Sequence, residues 1–261
     1  MLYFRTAPIR GSTDHVPFQY KLGIPSTYPE FRPAPPLFEA PSYHTAYDSV
    51  TMATNFTDPP CSSDGSVLPL HRLLVRLHFH LALSFSSARR LPIHPVRKAT
   101  TLKEAWDVLV SEAQQRYPDL EEHYGIKLEY VTKRIDDFLN ASRNFENFVG
   151  NLHGSDMRCF HIYNDILGRL SKQFISNVDA KSPRHVLVDT AYTQSHAASY
   201  FPRIRTLLHQ LELGEDRDVR TMLKSLKVEL SALVTAFNAA STLLRGGLFG
   251  SLDAYHAHLC Y

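Results

Sequence analysis

The chain has 261 residues, a formal net charge of +2, 44% hydrophobic residues and 21% charged residues. That is enough chain for a hydrophobic core without disulfide or metal staples, and too little charge for a protein that coats nucleic acid in bulk. Cys61, Cys159 and Cys260 are too few and too scattered for a disulfide framework, and no run of about 18 uncharged apolar residues is present to span a bilayer.

Ten of the sixteen prolines fall within residues 1–65. Proline fixes φ and removes an amide donor, so this segment reads as an extended, turn-rich arm. It is also rich in aromatics: Tyr3, Phe4, Phe18, Tyr20, Tyr28, Phe31, Phe38, Tyr43, Tyr47 and Phe56. Rings strung along extended chain suit successive pockets, either on the chain's own body or on neighbouring subunits. Neighbouring subunits are the favoured partners, because 65 residues at ~3.3 Å each reach further than a body of this size requires. Residues 1–13 hold two arginines, several hydroxyls and no acid, which is weakly similar to a mitochondrial presequence. Pro8 interrupts the amphipathic helix such a signal needs, so the expectation is import by an uncleaved signal.

Residues 66–261 read as a helical body. Within 70–88 a strand-like alternation competes with a helical stripe of Leu70, Leu74, Leu77, Leu81 and Phe85. The absence of a breaker favours the helix. Thr101-Leu102-Lys103-Glu104 is a capping-box pattern opening a helix that carries Ala105, Trp106, Leu109 and Val110 and stops at Pro118. Leu128, Val131, Ile135, Phe138, Leu139, Phe145, Phe148 and Val149 repeat at three- and four-residue spacings, and Gly150 and Gly154 end that run. Phe160 to Ile175 continues the period. A fourth segment from about Pro183 to Gly214 is expected to be helical and broken or kinked near Pro202, and a fifth runs from Val219 to Leu244 and closes at Gly246-Gly247. The fold expected is all-α: a bundle of about five to seven helices behind a long arm.

Catalytic and metal motifs are weak throughout. His78-Phe79-His80 resembles the paired zinc histidines of carbonic anhydrases if it lies on a strand; on a helix the two rings point about 200° apart. Cys159, His161, His256, His258 and Cys260 lack the paired spacing of zinc sites. Asn164 to Lys172 is similar to the second magnesium motif of terpene synthases, with Asp136-Asp137 as a possible first motif. Gly168 and Lys172 stand where that motif needs a hydroxyl and an acid, and a lysine opposes magnesium. There is no Glu-x-x-His pair, phosphate loop or nucleophile elbow. The reading is therefore of a protein without cofactor, metal or evident small-molecule substrate.

Charge is distributed more tellingly. From Ser66 to Lys103 there are seven basic residues and no acid. Arg72, Arg76, Arg89 and Arg90 are the residues expected to meet phosphate or anionic lipid. Leu230 to Leu252 carries a single charge, Arg245, among many small residues, which suits a closely packed helix. Together these features predict a non-catalytic structural or accessory subunit of a large assembly, its arm laid on other protein subunits and anionic lipid as a further contact. A mitochondrial inner-membrane complex, either ATP synthase or a respiratory complex, is the setting expected. A mitochondrial ribosomal protein ranks second, because the arm holds four basic residues against six acids. An all-helical enzyme without familiar motifs ranks third.

Overall fold

In a computed structural model, the described residues are 14–31, 45–60, 65, 67–118, 120–151, 157–176, 184–188, 200–212 and 219–246. They are mostly helical and fall into two compact units: residues up to Ser26 together with those from Arg89 onward, and Thr27–Ala88. Tyr3, Phe4, Phe38 and Tyr43 lie outside the described residues, as do Cys61, His256, His258 and Cys260.

The smaller unit contains a single turn α1 (Val50–Met52), which runs on as a wider helical turn over Ala53–Thr57, and the long helix α2 (Pro69–Ser87). Segment 70–88 is therefore a helix. Its stripe of Leu70, Leu74, Leu77, Leu81 and Phe85 forms the half-buried face, at the spacing a helical period demands. The start of α2 is capped from a distance: the buried Asp58 carboxylate accepts the main-chain N–H groups of Leu70 at 3.0 Å and His71 at 2.9 Å. His71 Nδ1 lies 2.7 Å from the same carboxylate. Burial by itself would raise the Asp58 carboxyl, but these hydrogen bonds and the His71 charge outweigh it and hold its pKa below the ordinary value.

The larger unit is the helical body, with α3 (Pro95–Arg116), α4 (Leu120–Tyr124), α5 (Glu129–Gly150), α6 (Met157–Leu170), α7 (Pro202–Glu212) and α8 (Val219–Leu244). A short hairpin, β1 (Ile175–Ser176) antiparallel to β2 (Arg184–His185), leaves α6 through a 3-10 turn at Ser171–Phe174. The core lies where α5 packs between α3 and α8. The long helices contribute residues at three- and four-residue spacing, for example Leu102, Trp106 and Leu109 on α3 or Leu226, Leu230, Leu233 and Phe237 on α8. Phe138, Phe174 and Phe237 form an aromatic cluster at centroid separations of 5.4–5.8 Å. Trp106 is fully buried, donates its indole N–H to Thr132 Oγ1 at 2.9 Å, and packs edge-on to Phe201 at 5.1 Å.

Two boundaries differ from the sequence expectation. Helix α3 begins at Pro95, so Thr101 lies inside it and bonds back to the Arg97 carbonyl. The cap comes from Glu146 on α5, whose carboxylate accepts the Val96 N–H at 2.8 Å. The segment from Pro183 does not begin as a helix, and the break expected near Pro202 falls at the start of α7. Arg184–His185 are strand and the chain bends at Val186 and Leu187, with Val186 N–H donated to the Phe174 carbonyl, and Pro202 is the first residue of α7. Just before it, Phe201 adopts φ +60, a conformation a bulky residue takes only when packing compels it. Its ring is buried and its N–H bonds the Leu187 carbonyl.

The first stretch of the arm belongs to this body. Pro17–Lys21 forms one wide helical turn that places Tyr20 in the core, 5% exposed and edge-on to His15 and His185. Gly23 has φ +63, and a Cβ there would stand 2.7 Å from Lys172 Cα. Only glycine allows this backbone to lie against the 3-10 turn.

Candidate functional site

The residues singled out from the sequence separate into three groups. Tyr20 is an internal anchor, and its ring faces the chain's own body. Phe18, Tyr28, Phe31, Tyr47 and Phe56 are exposed, Tyr47 at 81% and Phe56 at 73%. The four arginines are exposed as well, Arg72 and Arg76 on α2 in the smaller unit, Arg89 and Arg90 at the start of the larger one.

Helix α2 is unusual in having no buried residue along its 19 positions. Opposite its half-buried stripe stand Val75, Phe79 and Leu83, four residues apart and all more than half exposed. Arg72 and Arg76 flank this second stripe, one helical turn apart, and neither has a carboxylate partner among the described residues. A helix apolar on both sides and cationic along one edge leaves water in contact with surface it would expel. His78 and His80 do not share a face; His78 Nδ1 lies 2.9 Å from the Leu74 carbonyl of its own helix.

The residues similar to magnesium motifs have structural partners. Asn164 clamps the backbone of residues 89–91, accepting the Leu91 N–H and donating to the Arg89 carbonyl, both at 2.9 Å. Asp137 receives both terminal nitrogens of Arg245, and Asp136 lies 3.8 Å from Lys103 Nζ. Among the described residues no three His, Cys, Asp or Glu side chains gather to hold a metal ion.

A groove of about 900 Å³ along α8 was not foreseen from the sequence. One wall is α8 itself, and the other comes from Lys172, Gln173, Ile175, Ser176 and Val186. Its surface is predominantly apolar, and the charged residues among its described lining, Lys172, Arg220, Lys224 and Lys227, are all basic. The sole acid of α8, Glu229, points into the body instead. There it accepts from Arg184 and, at 3.3 Å, from Arg203, so its charge is committed and does not offset the lysines.

Beneath the hairpin lies a second cluster. Lys98 Nζ sits 4.8 Å over the Phe174 ring and 3.4 Å from Ser171 Oγ, and burial lowers its pKa to about 8. On the same Phe174, His185 stacks at 5.9 Å, accepting the Leu187 N–H on Nδ1. Burial, and then the Lys98 charge, hold the His185 pKa well below the usual histidine value. Neither residue lines the groove. Both are accounted for by core packing.

Among the described residues no helix is long and apolar enough to cross a membrane. Comparison of the chain with protein-family models and with curated proteins gives no match.

Proposed function

We propose that this protein is a non-catalytic accessory subunit of a large multi-subunit assembly, held there by α2 and by the exposed rings of its proline-rich arm. The observation that carries the reading is α2: a 19-residue helix with no buried residue, exposing Val75, Phe79 and Leu83 beside Arg72 and Arg76. Covering the three apolar side chains stabilises a complex by roughly 1.5–3 kcal/mol each, before the cost of association. Tyr28, Phe31, Tyr47 and Phe56 in the same unit offer further rings of the kind that anchor interfaces. The setting proposed is a mitochondrial inner-membrane complex, ATP synthase or respiratory. Arginines without acids suit the anionic lipid and subunit surfaces there, and the association is peripheral along α2.

The test is sedimentation of the full chain from detergent-solubilised native cells, with and without nuclease, beside a variant carrying Val75→Ser, Phe79→Ser and Leu83→Ser. The expected result is a fast peak, insensitive to nuclease, from which the variant is missing although its circular dichroism is unchanged. Wild-type protein at its own 29.7 kDa mass would remove the assembly reading. A peak that collapses with nuclease would move the protein to a ribonucleoprotein particle and make Arg72 and Arg76 phosphate contacts.

A further inference from the structure

The groove along α8 is a separate surface from α2, and its occupant follows from its own chemistry. Arg220, Lys224, Lys227, Ser231, Thr235 and Ala239 form one row on its α8 wall, at successive spacings of four, three, four, four and four residues. That rhythm follows the helical period, so the row runs along the axis for about 28 Å, roughly five turns.

The row changes character along its length. Its first three members are cations and its last three are small. Ser231 and Thr235 turn their hydroxyls back onto the carbonyls of Lys227 and Ser231, at 2.8 and 3.0 Å. With these hydroxyls already donated, this stretch offers a shallow surface of mainly apolar contact. Small residues let a second helix bring its backbone close. Cations repeating once per turn match carboxylates repeating once per turn. Lys172 adds a fourth cation from the facing wall, and among the described residues no carboxylate lines the groove. Lys172, Lys224 and Lys227 have no ion-pair partner among the described residues.

We propose that this groove receives an amphipathic α-helix of a partner protein, about four to five turns long. Its apolar face lies on the Ser231–Ala239 stretch, and its flank presents glutamate or aspartate to Lys172, Lys224 and Lys227. The open, elongated shape argues for a helix over a single lipid chain. A small amphiphile gains affinity by being enclosed on most of its surface, whereas a helix in a groove is anchored once per turn along its length.

The experiment is fluorescence anisotropy with the full-length protein and a labelled helical peptide of about 18 residues, Leu and Ala on one face and Glu once per turn on its flank. A Gln-for-Glu version of the peptide and phosphatidylserine vesicles are the comparisons. Saturable binding of the Glu peptide is expected, weakened at least about tenfold by the Gln peptide and by the pair Lys224→Glu, Lys227→Glu. Ser231→Phe, a change at an exposed position, is expected to block the peptide while leaving circular dichroism unchanged. If charge reversal unfolds the chain, Lys224→Met with Lys227→Met takes its place, with loss of affinity expected in the same direction. Failure of the Glu peptide to bind, equal binding of the Gln peptide, or vesicle binding through these lysines in its place would overturn the proposal. None of these readouts depends on α2, whose role is read from sedimentation.

Discussion

Arg184 on β2 and Glu229 on α8 form an ion pair with both side chains mostly buried, and it ties the hairpin to the longest helix of the body. Arg203 on α7 shares the same carboxylate oxygen, so one acid holds three elements together. Removing the acid strands two guanidiniums. Glu229→Leu is expected to cost about 3–5 kcal/mol in urea unfolding, the range for breaking a buried pair from one side. Arg184→Met added to it is expected to recover part of that loss, with a coupling of at least about 1 kcal/mol. Strictly additive effects would show that the pair contributes nothing specific.

Gly23 is also expected to be intolerant of change, for a steric reason. Alanine there meets both the positive φ and the Lys172 backbone at 2.7 Å. Gly23→Ala is expected to destabilise by roughly 1–3 kcal/mol, as a strained backbone does. It is also expected to loosen the turn that seats Tyr20, seen as faster hydrogen exchange at residues 17–24 than at α5. Uniform exchange in wild type and variant would show that the segment is not latched there.

How much of this was legible beforehand depended on whether a feature was local. The runs from Val131 to Val149 and from Val219 to Leu244 repeat their apolar residues over many turns, so their helices and buried faces could be read from spacing alone. The start of α3 could not, because its cap, Glu146, lies 50 residues away and the nearer capping-box pattern at Thr101 misled. Residues 184–188 carry helix-compatible side chains, yet the carbonyls of Phe174 and Ile175's strand offer them pairing that no local pattern encodes. Phe18 and Tyr20 look alike in a proline-rich arm, but only Tyr20 finds His185 and His15 beside it. The groove depends on a hairpin standing next to α8, and nothing in the α8 sequence announces that neighbour. The single acid of α8 was visible; its being turned inward, away from Lys224 and Lys227, was not.

Lys98 gives a pH prediction whose sign differs from that of most surface lysines. Its pKa falls from 10.5 to about 8 on folding, because burial disfavours the charged form. Below pH 8 the lysine is charged in both states and the full desolvation cost is borne by the folded one. Between about pH 8 and 10.5 the unfolded chain binds more protons, so this contribution to stability rises with pH and the cost is gone above 10.5. Lys98→Met keeps the apolar stem over Phe174 and removes the charge. It is expected to stabilise the body by about 1–2 kcal/mol at pH 7, with the gain shrinking as pH rises toward 10. A gain independent of pH would place its origin in packing and not in the buried charge.

Asp58 sets the corresponding prediction for α2. Its carboxylate takes two main-chain N–H groups and the His71 ring at the start of a helix that has no core of its own to fix it. Asp58→Ala is expected to cost about 1–2 kcal/mol locally, as loss of a helix cap does. Amides of Leu70 to Leu74 should then exchange faster, while those of α5 keep their wild-type rates. Acid should mimic the substitution. The Asp58 pKa is depressed on folding, so its stabilisation is complete above the ordinary carboxylate value of 3.8 and is lost as pH falls through the lower folded value. If α2 is the docking helix, the same substitution weakens assembly through disorder at the helix start, with Val75, Phe79 and Leu83 still in place. Restoring the cap with Asp58→Asn, which keeps one acceptor oxygen, should recover part of both the protection and the sedimentation peak. Recovery of neither would separate the cap from the surface it positions.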